Sequence, residues 1–402
     1  MSHATAQQPL AGMKVVELST MITCSLAAMT LRAQGASVIK VEPPGIGDAM
    51  RKIGTQKAGM STLFNNCNRG KRSLAIDLKS EAGQEAVTQL AQEADVILHN
   101  YRPGVMNRLG FGSDRLRALN PKLVYIAVSG FGTTGPMAAK PAYDHVIQGL
   151  SGLTDLQGEA SDEYAYVRSL ICDKVTAYTV AQAATAALLA RASTGVGQHI
   201  DISMLHACLA FLWPDMMMNQ TLEADDREAM VIPPMSDYYQ VLKLKDGALT
   251  IAALHDHHWE ALLPMLGHPE LLDDPDFNSM AGRAMNMDKV MRVLKNPKID
   301  IGVHEAMTIL EAADVPCTIC ERRDTLSAND QINTIGAIES YVTQTMGKIT
   351  VPTPPVLFEG KATSLAADSP ALGQHSAEIL QELGFEQARI EALCAEGSVA
   401  CN

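Results

Sequence analysis

The chain has 402 residues, with 32 Lys+Arg against 45 Asp+Glu, a formal net charge of −13 with His neutral, and an apolar share of 47%. That length and apolar share describe a globular protein of two or three domains with a large core, and exclude a disordered or low-complexity chain. An acidic chain needs a strong basic patch to hold nucleic acid or an acidic membrane; only scattered clusters such as Arg69-Gly70-Lys71-Arg72 are present, so neither is expected as a partner.

From the N-terminus, the first fourteen residues lack the basic start and apolar run of a secretory signal. The uncharged stretches 175–190 and 202–214 are too short or too polar to span a bilayer. Both read as buried core elements, and the expected location is the cytoplasm. Eight cysteines spread along the chain without a dense framework fit a reducing compartment, so free thiols are expected.

Residues 13–18 read as a strand, 25–34 as a helix closed by Gly35, and 37–42 as a second strand stopped by Pro43-Pro44-Gly45. This is a βαβ unit with a right-handed crossover and parallel pairing. A strand over 73–77, a helix over 80–92, and strands over 95–100 and 123–129 continue the rhythm. The fold class that follows is α/β, with a doubly wound Rossmann-like parallel sheet that binds its ligand at the carboxyl ends of its strands. The first βα turn, Ser19 to Cys24, has none of the glycines of a dinucleotide fingerprint, which argues against a nicotinamide dehydrogenase.

Asp173 follows a short apolar run and opens an uncharged helix over 174–191, read as buried on most sides and ending before Gly197; an alternating strand over 198–203 follows. On spacing alone Asp173 reads first as an N-cap, because a carboxylate there accepts helix amides. The alternative is a reactive carboxylate aimed into a cleft at a strand–helix junction.

The texture changes at Glu223. Residues 1–222 read as the first part of a large domain, 223–234 as a proline-containing linker, 235–330 as a small α+β domain, and 331–402 as a return linker with the C-terminal part of the large domain. The small domain has a hairpin around Lys245-Asp246-Gly247 and helices over 258–266, 283–294 and 303–313; an extended proline-rich arm over 349–358 leads to a last helix over 375–383. Two metal ideas fall away. Cys317 and Cys320 lack a second pair, and read as small buried side chains after Val315-Pro316. The cluster His255-Asp256-His257-His258 lies at a strand–helix junction without metal-ligand spacing, although one of its histidines could face substrate.

Nine segments in order, among them PLAGMKVVELS, GASVIKVEPPGIGD, NRGKRSLAIDLKS, ADVILHNYRPGVMNRLGFG, PAYDHVIQGLSGL and ARASTGVGQHIDISM, run from about residue 9 to 385. In these segments the chain resembles the class III coenzyme A transferases, the group of formyl-CoA transferase, carnitine CoA-transferase and the methylacyl-CoA racemases. The resemblance implies transfer of CoA from an acyl-CoA thioester to a free carboxylic acid, through anhydride and CoA-thioester intermediates on an aspartate that falls on Asp173. Capping and attack are compatible roles for it. The same resemblance places CoA contacts at Asp77, Lys79, Asn100, Tyr101, Arg102, Arg108 and Lys140, and substrate contacts at Ile22, Thr23, Tyr143 and His145. Arg and Lys suit phosphates, and Tyr suits a base. It implies no cofactor and no metal, with CoA entering as substrate, and an interlocked homodimer.

Two departures bear on specificity. The glutamine that formyl-CoA transferase carries in its first βα turn falls on Ile22, and its glycine-rich lid has no counterpart in 233–239. A wider, methionine-lined acyl pocket is one consequence. An acyl-CoA racemase using Asp173 with His145 and a non-catalytic CoA-binding protein stay open as alternatives. Tyr143, where racemases carry histidine, favours transfer. Arg168 could hold a second carboxylate of a dicarboxylic acid, or pair structurally.

Overall fold

Short strands that are apolar on both faces can be satisfied only between two layers of helices, and that arrangement organises the N-terminal half. In the computed structural model, which describes residues 8–158, 163–222, 239–298, 300–363 and 365–401, β1 (Lys14–Leu18) leads into α1 (Ile22–Ala33) and β2 (Ser37–Glu42). There follow α2 (Thr62–Asn68), β3 (Arg72–Ile76), α3 (Glu81–Glu93), β4 (Val96–His99), α4 (Val105–Arg108), α5 (Ser113–Leu119) and β5 (Val124–Ser129). Then come α6 (Asp144–Leu150), α7 (Leu153–Gly158), the 24-residue α8 (Ile171–Thr194), β6 (His199–Ser203) and α9 (Met204–Leu212).

Contacts divide the chain into two compact units, Met1–Leu212 with Gln331–Asn402, and Trp213–Asp330. The sequence-predicted linker 223–234 lies outside the described residues. In the second unit, β7 (Gln240–Leu244) and β8 (Gly247–Ile251) form the expected hairpin. With α10 (Asp256–Met265), α11 (Met280–Met285), α12 (Met287–Lys295), α13 (Val303–Ala312) and β9 (Cys317–Ile319), they enclose a core of Leu242, Leu249, Leu262 and Leu310. One expected helix is thus two, broken at Asn286, whose side chain bonds Asp276 and the Gly282 carbonyl. His258 accepts the His255 amide through Nδ1 at 3.3 Å and so finishes the start of α10; no metal-holding cluster occurs among the described residues.

The returning segment contains more structure than the proline-rich arm suggested. Ile338–Thr343 (β10) and Gly347–Pro352 (β11) pair as a hairpin, because alternating residues such as Tyr341 and Ile349 face each other across it. Helix α14 (Ser376–Glu382) then packs on the sheet, and α15 (Gln387–Ala395) and β12 (Val399–Ala400), neither of them expected, follow. The main sheet has the order β12-β3-β2-β1-β4-β5-β6, all parallel except the antiparallel edge strand β12. Its core joins Ile97, Leu116 and Tyr125 to Ile379, Phe385 and Val399 from the returning segment.

Further expectations are corrected. Helix α8 begins at Ile171 with Leu170 as its N-cap, so Asp173 is its third residue and not its cap; among the described residues 163–170 no strand leads into it. That helix is buried along one face only, through Thr176, Ala177, Val180, Ala184 and Ala187, while Tyr178 and Leu189 are exposed. Phe211 and Trp213 are exposed as well, so the stretch 202–214 is not wholly core. The thiols are not all free, because Cys394 and Cys401 form a disulfide, and Cys317 and Cys320 are half-buried and exposed rather than core. No described helix is long and apolar enough to cross a membrane.

Candidate active site

The strand order reverses between β1 and β4, whose successors lie on opposite sides of them in the sheet. A parallel sheet opens a crevice at that point, outside the carboxyl ends of the two strands. Here the turns after both strands are tied together. The Thr20 amide donates to Asn100 Oδ1 at 3.1 Å, and Asn100 Nδ2 returns a bond to the Thr20 carbonyl at 2.6 Å.

Met21 continues this turn at φ 64°, ψ −166°, a backbone region that side-chain-bearing residues avoid at a cost of about 1–3 kcal/mol. What holds it there is Asp48. Its Oδ1 accepts the Met21 amide at 3.1 Å, the Thr20 hydroxyl at 3.1 Å and the Met50 amide at 2.9 Å, while Oδ2 pairs with Lys40 at 2.9 Å.

Asp48 belongs to a buried cluster that sequence reasoning missed. Lys40 Nζ, fully buried, also meets Glu17 at 2.6 Å, and Glu17 pairs with Lys71 at 2.7 Å through its other oxygen. Glu42 is held by Arg51 and by the Ser73 hydroxyl. Three carboxylates thus balance three cations. Burial opposes ionisation of Glu17, but Lys40 and Lys71 outweigh it and hold its carboxyl far below the usual range. The available signal was charge inside strands otherwise written in Val, Ile and Leu, KVVEL and SVIKVE.

Above this base lies a cavity of about 350 Å³ whose wall includes Met21, Thr23, Tyr101, Arg102, Lys140 and Asp173. Asp173, 8% exposed, faces it from the first turn of α8. The Thr23 hydroxyl, in the first turn of α1, donates to Asp173 Oδ1 at 2.5 Å. The Asp173 main-chain amide donates to Asp144 Oδ2 at 2.9 Å. Burial is the chief cause that lifts the Asp173 carboxyl to about 6; the nearby Asp144 adds to the rise, while Thr23, His145 and Lys174 oppose it.

Of the residues singled out in the sequence, Thr23, Asn100, Tyr101, Arg102, Lys140, Tyr143 and Asp173 come together in this wall. Six others do not line it. Ile22 is buried with Met50, Phe64 and Met346, because α1 turns that side chain toward α2. His145 is exposed and stands edge-on to Tyr166 with ring centroids 5.0 Å apart. Asp77 is committed to its own turn, accepting the Lys79 amide at 3.0 Å, and Lys79 and Arg108 are exposed. Arg168 is exposed and outside the cavity too.

A buried carboxylate whose pKa is lifted to about 6, facing a cleft rimmed by Arg and Lys, is the arrangement of a candidate active site and suits an anionic ligand. The chain belongs to CoA-transferase family III, whose model matches residues 10–376, and it is an enzyme of that family. It is 30% identical to the mouse (Mus musculus) succinyl-CoA:glutarate CoA-transferase over 99% of this chain and 92% of that one. It is 34% identical to the acetyl-CoA:oxalate CoA-transferase of Acetobacter aceti, over 78% of this chain and 85% of the relative. Among solved structures, a CAIB/BAIF family protein from Brucella suis matches with a TM-score of 0.81 and 32% identity, covering 94% of this chain and 100% of that one.

Proposed function

We propose that this enzyme moves CoA from an acyl-CoA thioester to a free carboxylic acid with Asp173 as the nucleophile. The observation that carries the reading is the position of Asp173: buried, held by Thr23, and facing the cavity that Arg102 and Lys140 rim. A carboxyl lifted to about 6 is ionised at pH 7–8 yet more basic than an exposed aspartate, which suits attack on a thioester.

In the first step an Asp173 carboxylate oxygen attacks the acyl carbon and the CoA thiolate leaves, giving an aspartyl-acyl anhydride. The thiolate then attacks the Asp173 carbonyl carbon, expels the donor's carboxylate and forms an aspartyl-CoA thioester. The acceptor carboxylate attacks that carbonyl, releasing the thiolate and forming a second anhydride. Attack of the thiolate on the acceptor's acyl carbon completes the new acyl-CoA and frees Asp173. No proton is gained or lost and no cofactor is required. Arg102 and Lys140 are suited to the phosphates of CoA, and Tyr101 to packing against its uncharged parts.

The deciding experiment incubates the protein with acyl-CoA and traps intermediates with hydroxylamine or borohydride. Mass spectrometry is expected to find modification at Asp173 that disappears in Asp173→Ala; an unmodified protein under turnover conditions sinks the reading and leaves a CoA-binding protein without transfer. Exchange of the acyl α-proton for deuterium in D2O, with no acceptor acid present, would replace it by racemisation. The relatives' names support short dicarboxylic acids as acceptors, which a panel of mono- and dicarboxylic acids tests. The family resemblance also supports an interlocked homodimer, and sedimentation at micromolar concentration that shows only monomer contradicts it.

A further inference from the structure

The first turn of an α-helix leaves amides without intrahelical partners, and a side chain at the N-cap ordinarily takes one of them. Helix α8 has no such residue, since its N-cap is Leu170 and makes no side-chain cap bond. The amide of Asp173 is satisfied from outside the helix, by Asp144 Oδ2 at the start of α6. Asp144 is 1% exposed, and its other oxygen accepts from Gln148 Nε2 at 2.6 Å. Gln148, itself fully buried, in turn accepts the Val167 amide at 3.0 Å and donates to the Ser169 carbonyl at 3.2 Å. One buried chain of bonds therefore runs from the main chain of Asp173 through Asp144 and Gln148 to the segment that enters α8.

Asp144 makes no ion pair among the described residues, so a carboxylate buried this deeply is costly and has only amide and dipole partners. Ion pairs buried elsewhere in the same unit are neutralised charge for charge. We infer that Asp144 is a positioning residue for the transfer: it substitutes for the missing cap of α8, fixes the main chain of Asp173 at the cavity wall, and places a like charge beside the nucleophile. The inference rests on the reading of Asp173 as that nucleophile.

The charges around Asp173 make the test interpretable. Asp144 and His145 act from α6, Lys174 from α8 itself, and Cys24 from α1, where burial keeps the thiol protonated. Of these groups Asp144 alone raises the Asp173 carboxyl, so removing its carboxylate makes the Asp173 anion easier to form and less basic.

The experiment compares wild type with Asp144→Asn in the pH dependence of adduct formation at Asp173, read by mass spectrometry, and of kcat/KM. Expected are an acid limb moved down by about one pH unit, from the lost like charge, and a kcat about tenfold lower at pH 8 with KM for the acyl-CoA nearly unchanged. An unmoved limb overturns the inference, with or without a loss of kcat, because a merely structural role lowers activity without moving the titration. Should Asp144→Asn fail to fold, Gln148→Met keeps the charge and frees its second oxygen. A several-fold fall in kcat is then expected, and an unchanged kcat overturns the positioning role. Absence of any adduct in wild type points instead to failure of the Asp173 reading.

Discussion

Asp173 is placed where its charge is least comfortable. The fold withholds water from it, so its carboxyl titrates at about 6 instead of near its ordinary value of 3.8. A carboxyl whose folded pKa is raised favours folding only while it is protonated. Its stabilising effect is complete below the unfolded value and is lost as the pH rises through about 6. Above that, the ionised side chain costs up to about 3 kcal/mol, at roughly 1.4 kcal/mol for each pH unit of displacement. Asp173→Asn should therefore raise the midpoint of denaturant unfolding at pH 8, by a margin that shrinks toward zero below pH 4, while abolishing transfer. An equal gain at both pH values would mean that desolvation of the charge is not what the site stores. The residue was legible in the sequence as a carboxylate opening a helix, but the local pattern read it as the cap. A capping role depends on which residue leaves helical geometry first, and Leu170 does so here. Its true partner, Asp144, is 29 residues upstream and nothing local pairs the two.

At the scale of elements, the strands of the main sheet were readable because runs such as VILH and VYIAVS are buried on both faces, and the residues that stop them are turn formers. The returning segment was less readable. Strand β12 has two residues, and α15 carries little apolar periodicity; both are held by docking on the sheet rather than by local preference. The buried ion cluster was visible only as charges out of place. Lys40 is its centre, meeting Glu17, Asp48, the Ser25 hydroxyl and the Ser19 carbonyl. Lys40→Met keeps the length of the side chain but leaves Glu17 with Lys71 alone and Asp48 with no cation. Breaking one partner of such a cluster costs about 3–5 kcal/mol, and the loss should show as a lower unfolding midpoint. Because Asp48 also holds Thr20 and Met21 at the cavity, the variant should bind CoA more weakly even where it is fully folded. A stability loss below about 1 kcal/mol would show that the remaining groups re-pair without Lys40.

For the molecule as a whole, the question posed by its charge is how a chain at −13 recruits a polyphosphate such as CoA. The cations are local: Arg102 and Lys140 stand in the cavity wall, and Lys79 and Arg108 are exposed outside it. Range decides which charge the approaching ligand feels. At about 10 mM salt the screening length is ~30 Å and the net negative charge acts on CoA before it reaches the cavity, whereas at about 150 mM it is ~8 Å and only the nearest cations act. Adding salt over that interval removes long-range repulsion faster than it weakens contact pairs. Stopped-flow association of CoA should therefore quicken from 10 to 150 mM salt and slow again toward 1 M, where screening at about 3 Å reaches the contact pairs too. Dissociation should quicken throughout, since it depends on the pairs alone. In Arg102→Ala with Lys140→Ala the rise should persist and the later fall flatten. An association rate that declines steadily from 10 mM upward would mean that these cations dominate the field well beyond the cavity mouth, and that the acidic remainder of the surface has no part in recruitment.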